Sequence, residues 1–140
     1  MKQETTAMTS TSPVQLRRLT PVLVVERVEP CLHWWIERLG FTLKHQVGDD
    51  GALVFGCVEK DGLEVMVQTR ASVIAERADA ATELDGHSVV LFLEVDDLDA
   101  VERALGDAPV VTPHHRTFYG STELYVREPG GNVVGFAQFG

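Results

Sequence analysis

At 140 residues the chain is long enough for one domain with a real core, and its composition is that of an ordinary globular protein. A net charge of −9 disfavours nucleic acid, which needs clustered Lys and Arg, and is compatible with a cationic small-molecule ligand. No apolar run approaches the roughly 18 residues of a membrane-spanning helix.

The segment Met1 to Pro13 is rich in Thr and Ser and has no apolar h-region. It reads as part of a disordered tail, residues 1–18, rather than a signal peptide, and a cytoplasmic location is expected. Cys31 and Cys57 have neither metal-ligand spacing nor a disulfide framework and read as buried free thiols.

Leu19 to Glu26 is rich in β-formers and predicts a strand. Pro30 suits the first turn of the helix that follows. Leu32, Trp35, Ile36 and Leu39 fall on one helical face, and Gly40 closes the helix. Trp34 lies off that stripe, which predicts an exposed ring packing against a partner subunit or the tail. Strands are expected over Phe41 to Gln46, Ala52 to Val58, with Gly56 as a bulge, and Leu63 to Thr69. Lys60-Asp61-Gly62 is a hairpin turn, since Asp-Gly tolerates positive φ. Ala71 to Leu84 is charged, Ala-rich and weakly helical, and reads as a linker.

The same order then repeats. Ser88 to Val95 is an apolar strand. Asp97 caps a helix striped by Leu98, Val101 and Leu105 and closed by Gly106. Val110 to Thr112 is a short strand ended by Pro113, and His114 to Gly120 is a loop. Glu123 to Arg127 and Val133 to Phe139 form a final hairpin. The fold class is therefore α+β, built from two β-α-β-β-β repeats over 19–70 and 87–140. Such a duplication suggests two half-sites facing one cavity.

Three segments carry a family resemblance. Pro21-Val22-Leu23-Val24-Val25 leads into Trp34-Trp35-Ile36-Glu37-Arg38-Leu39-Gly40-Phe41. Leu63-Glu64-Val65-Met66-Val67-Gln68 follows, and Arg127-Glu128-Pro129-Gly130-Gly131-Asn132 precedes the last strand. In this order they resemble the vicinal oxygen chelate superfamily of glyoxalases, extradiol dioxygenases and bleomycin-resistance proteins. The resemblance covers Leu19 to Phe139. It implies a curved, cup-like mixed sheet and, in the enzymes, a divalent metal held by four strand residues.

The four corresponding positions here are Thr20, Glu64, a residue near Val90, and Gly135. Only Glu64 is a usual ligand type. The resemblance therefore points to the bleomycin-resistance-like, non-metal subgroup, to no cofactor, and to a homodimer. Its candidate ligand-binding residues are Glu64, Met66, Phe92, Tyr119 and Tyr125. Glu64 would pair with a cationic ligand or accept a hydrogen bond. Met66 shares its strand face, and Phe92 shares that of Val90. Tyr119 would stack on a flat ligand at the cup mouth. For Tyr125 the facing side is left open.

His114 and His115 are adjacent, so on a strand they would point to opposite faces; His87 would approach Val90 only after a register shift. His33 and His45 read as surface residues. The leading functional expectation is a metal-free binder that sequesters an aromatic or cationic, antibiotic-like molecule. The alternatives are a metal-dependent lyase, isomerase or dioxygenase with a displaced site, and a regulatory subunit that has lost the site.

Overall fold

The computed structural model describes residues 13–49, 51–77 and 89–140. Strand β1 is Val22–Val25 and helix α1 is Val28–His33, which runs into a π-helical turn, Trp34–Arg38. Strands β2 (Thr42–Asp49), β3 (Ala52–Lys60) and β4 (Leu63–Thr69) follow, then helix α2 (Arg70–Glu76). The second repeat is β5 (Val90–Glu94), helix α3 (Leu98–Leu105), β6 (Val110–Arg116), β7 (Ser121–Arg127) and β8 (Val133–Phe139).

Two four-stranded sheets result, ordered β1-β4-β3-β2 and β5-β8-β7-β6. In each, the first strand pairs in parallel with the fourth, and the other pairings are antiparallel. The repeat seen in the sequence is thus a repeat of topology. Among the described residues no helix is long and apolar enough to cross a membrane.

Pleating gives each strand an inner and an outer row. Leu23 and Val25 of β1, Val65 and Val67 of β4, Leu124 and Val126 of β7, and Val134 and Phe136 of β8 enter one core with Trp35 and Leu98. That core draws on both repeats. The intervening residues, among them Val22, Glu64, Met66, Val90, Phe92 and Tyr125, occupy the opposite, open faces.

Local chemistry sets the boundaries. Asp61 and Gly62 take φ of 52° and 79°, as the tight β3–β4 hairpin requires. Asp97 caps α3 by accepting from the Ala100 N–H at 3.1 Å, and Thr69 caps α2 by accepting from the Ser72 N–H at 3.1 Å. In the β7–β8 turn the buried Glu128 carboxylate accepts from the Gly130 and Asn132 N–H groups at 2.9 and 2.8 Å. Glu in place of Asp therefore still organises the turn.

Several expectations are corrected. Trp34 is buried, and its ring meets Trp35 edge to face with centroids 5.1 Å apart. The wider π-turn rotates less per residue than an α-turn, so both consecutive tryptophans stay on the inner side. Gly56 is not a bulge; the register irregularities lie between Leu43 and His45 and between Val47 and Gly48. A Cβ on Gly56 would sit 2.5 Å from Leu32 Cδ1, so the glycine lets α1 approach the sheet. Strand β6 continues through Pro113 to Arg116. As an edge strand it tolerates a missing N–H, and a register irregularity brackets the proline. The linker beyond Arg77, including His87, lies outside the described residues, as does Asp50.

Gly56→Ala is expected to cost about 1–3 kcal/mol through overpacking against Leu32. A lower urea midpoint at unchanged slope would show it, and truncating Leu32 in the same chain should recover part of the loss.

Candidate functional site

The open face of the first repeat carries an ion network. Glu59 on β3 and Glu64 on β4 are directly opposed, an arrangement that repels unless a cation lies between them. Lys44 on β2 provides it, with Nζ 2.9 Å from Glu64 Oε2 and 3.7 Å from Glu59 Oε2. Arg18, just before β1, adds Nη1 at 3.3 Å from the same Glu64 oxygen. The Lys44 hydrogen bond leads in holding the Glu64 carboxyl below its ordinary range; the Cys57 thiol and the charges of Lys44 and Arg18 help it outweigh burial. Burial first, then the hydrogen bond to Glu64, pushes the Cys57 thiol up to about 11, so it stays protonated.

Beside this network lies a cavity of about 540 Å³, within the usual range for small-molecule sites. Trp35, Phe41, Phe92 and Leu93 form apolar walls, and Arg17, Arg18, Lys44, Glu59 and Glu64 supply the charge. The lining comes from both repeats, because β5 contributes Leu91 to Leu93. Trp35 is fully buried, and its Nε1–H has no acceptor among the described residues.

The open face of the second repeat is organised around Glu123 on β7, which is 1% exposed. Tyr119 Oη donates to Oε2 at 2.6 Å, Ser121 Oγ to Oε2 at 2.7 Å, and Tyr125 Oη to Oε1 at 2.8 Å. Burial alone would raise this carboxyl. The three hydroxyl donors, with His115 across the β6–β7 pair, outweigh it and leave Glu123 below its ordinary range. Tyr125 is itself pushed up to about 12, by burial and then by the carboxylate it donates to.

The sequence candidates thus fall into two groups. Glu64 and Phe92 meet at the cavity, whereas Tyr119 and Tyr125 meet at Glu123. Met66 is half-buried on the Glu64 face, opposite Cys57 and Val22, and does not line the cavity. Tyr119 also stacks edge to face with Phe118 at 5.0 Å. His114 and His115 lie on a strand and diverge: His114 sits 3.5 Å from Glu102 of α3, and His115 is opposite Glu123.

Glu123, Lys44, Arg17 and Arg18 were not candidates from the sequence. A signal for the first exists: Ser121, Glu123 and Tyr125 alternate with period two, which puts two hydroxyls and a carboxylate on one face of β7, and Tyr119 joins them from the turn before it.

The four positions at which the family's enzymes hold a metal do not fit one here. Glu64 is engaged by two cations. Val90 has no donor atom. At Gly135 a Cβ would overlap the Tyr125 ring, which fills the space a ligand side chain would need. A separate trio, Asp99, Glu102 and His114, brings ligand atoms within 4.8 Å of one another but is exposed, where such groups keep their own hydration.

Paired βαβββ repeats, each turning one sheet face outward, define the vicinal oxygen chelate fold. The chain belongs to the Glyoxalase/Bleomycin resistance protein/Dioxygenase superfamily, whose family model matches residues 16–136. No curated protein matches it. Among solved structures it is similar to a glyoxalase/bleomycin resistance protein/dioxygenase from Nocardioides, with a TM-score of 0.70 and 18% identity over 90% of this chain and 85% of that one. It is also similar to TioX from Micromonospora sp. ML1, with a TM-score of 0.68 and 16% identity over 88% and 98% of the two chains. A lactoylglutathione lyase from Agrobacterium tumefaciens gives a TM-score of 0.67 and 16% identity over 89% and 95%. At these identities the likeness is one of fold.

Glu123→Gln should cost about 2–3 kcal/mol near neutral pH, because it weakens hydrogen bonds made to a charge. The depressed carboxyl contributes its stability fully above the unfolded value, about 4.3, and loses it as pH falls through the folded value. The difference in urea stability between wild type and variant is therefore expected to be full at pH 6–7 and to close below about pH 4.

Proposed function

We propose that this protein is a metal-free small-molecule-binding protein that sequesters an aromatic, antibiotic-like ligand in the cavity between its repeats. The cavity carries the proposal: it has aromatic and aliphatic walls, a few fixed polar groups and the volume of a small-molecule site. The donor chemistry of Thr20, Glu64, Val90 and Gly135 supports binding over metal-assisted turnover. The site of action proposed is the cytoplasm.

The proposal extends to a homodimer. Val90, Phe118, Tyr119 and Phe139 are between 44 and 69% exposed, and Tyr119 packs against both Phe118 and Phe139 to make an apolar patch. A second copy of the chain would cover it. Sedimentation at micromolar concentration is expected to give twice the chain mass, and a monomer at that concentration would end this part of the proposal.

The function is tested by two measurements on the full chain. Chelator-stripped protein reloaded with Ni²⁺, Mn²⁺, Fe²⁺ or Zn²⁺ should retain none stoichiometrically. A tryptophan-fluorescence screen of aromatic ligands should give saturable hits that mass spectrometry recovers unchanged. Tight equimolar metal, or a hit converted to product, would instead support a lyase, isomerase or dioxygenase.

A further inference from the structure

A ligand's charge must be answered by groups the fold has left available, and the two open faces differ from what net charge suggests. A cationic ligand would need a carboxylate. Glu64 already accepts from Lys44 at 2.9 Å and Arg18 at 3.3 Å. Glu123 already accepts three hydroxyls within 2.8 Å and is 1% exposed. A cation approaching either carboxylate would have to displace bonds of similar strength.

Donors are in the opposite position. Arg17 lines the cavity and makes no ion pair with another described residue. Its guanidinium is therefore left to meet a ligand. The charged lining holds three cations, Arg17, Arg18 and Lys44, against two carboxylates, Glu59 and Glu64, a local surplus of one positive charge. That surplus occurs in a chain of net charge −9. Phe41 and Phe92 supply ring surface alongside.

Building on the binding function proposed above, we infer that the cavity takes an aromatic molecule bearing an acid group. The rings lie against Phe41 and Phe92. The carboxylate, or an equivalent oxyanion, is held by the Arg17 guanidinium. Arginine suits this role because its planar fork grips a carboxylate through two parallel hydrogen bonds. The Lys44–Glu64–Arg18 network keeps the neighbouring carboxylate neutralised, so an incoming anion is not repelled at short range.

The test uses one ring system carrying three charges. 2-Naphthoate, 2-naphthalenemethanol and 2-naphthylmethylammonium are titrated into the intact protein at low salt, with binding followed by energy transfer from tryptophan and by calorimetry. 2-Naphthoate is expected to bind about tenfold tighter than the alcohol, and the ammonium weakest. Arg17→Gln, at an exposed coil position that leaves the core untouched, should cut the naphthoate advantage to about twofold. Half-molar salt should reduce it similarly.

An alcohol that binds as tightly as the naphthoate, or an ammonium that binds tightest, overturns the acid-group inference and leaves the binding function standing. Failure of all three probes at millimolar concentration removes both. An unchanged naphthoate advantage in Arg17→Gln overturns the assignment to Arg17.

Discussion

The two repeats share one core but turn their other sheet faces away from it, and most of the remaining structure depends on that one-sided burial. Trp35, Val65 and Val67 from the first repeat and Leu124, Val134 and Phe136 from the second belong to one apolar cluster. Because a strand's side chains alternate, every residue committed to that core commits its neighbour to the open face. Glu64 is outward because Val65 is inward, and Tyr125 is outward because Leu124 and Val126 are inward. Register sets the packing and the site together, and a slip of one residue would exchange them.

On those open faces the main energetic problem is the cost of holding charge near apolar surface. The two repeats solve it differently. In the first, directly opposed carboxylates are reconciled by Lys44 and Arg18, so the network is a set of ion pairs that salt and solvent weaken. In the second, a single carboxylate is ringed by neutral hydroxyls, whose short hydrogen bonds need no counter-charge. The topology is therefore repeated while the polar chemistry of the halves differs. The same divergence accounts for Gly135, which gives room to the Tyr125 ring rather than donating an atom of its own.

Much of this was legible in the sequence. The strand expected over Leu63 to Thr69 is β4 at its observed limits, Asp61-Gly62 marked the hairpin, and Gly40 and Gly106 closed the two helices at positive φ. What escaped depended on tertiary context. Helical periodicity assumes a constant turn, so the π-turn that buries Trp34 was invisible to it. Proline usually ends a strand, but an edge position removes the penalty and β6 runs on. Of the site, the alternation through Ser121, Glu123 and Tyr125 was readable as a pattern, although a carboxylate's burial was not. Arg17 and Arg18 belonged to a segment with no periodic signal, and only its course past β4 reveals their role.

Arg17 and Arg18 belong to a coil rather than to either sheet, yet they form part of the cavity wall. Changes in that coil carry almost no folding penalty, because nothing in the core rests on their side chains. The lining of the cavity can therefore be altered through a few residues ahead of β1 while the scaffold stays fixed. The same property makes the protein sensitive to handling: a tag fused closely before this segment, or a truncation reaching it, would remodel the cavity wall of a chain that still folds normally.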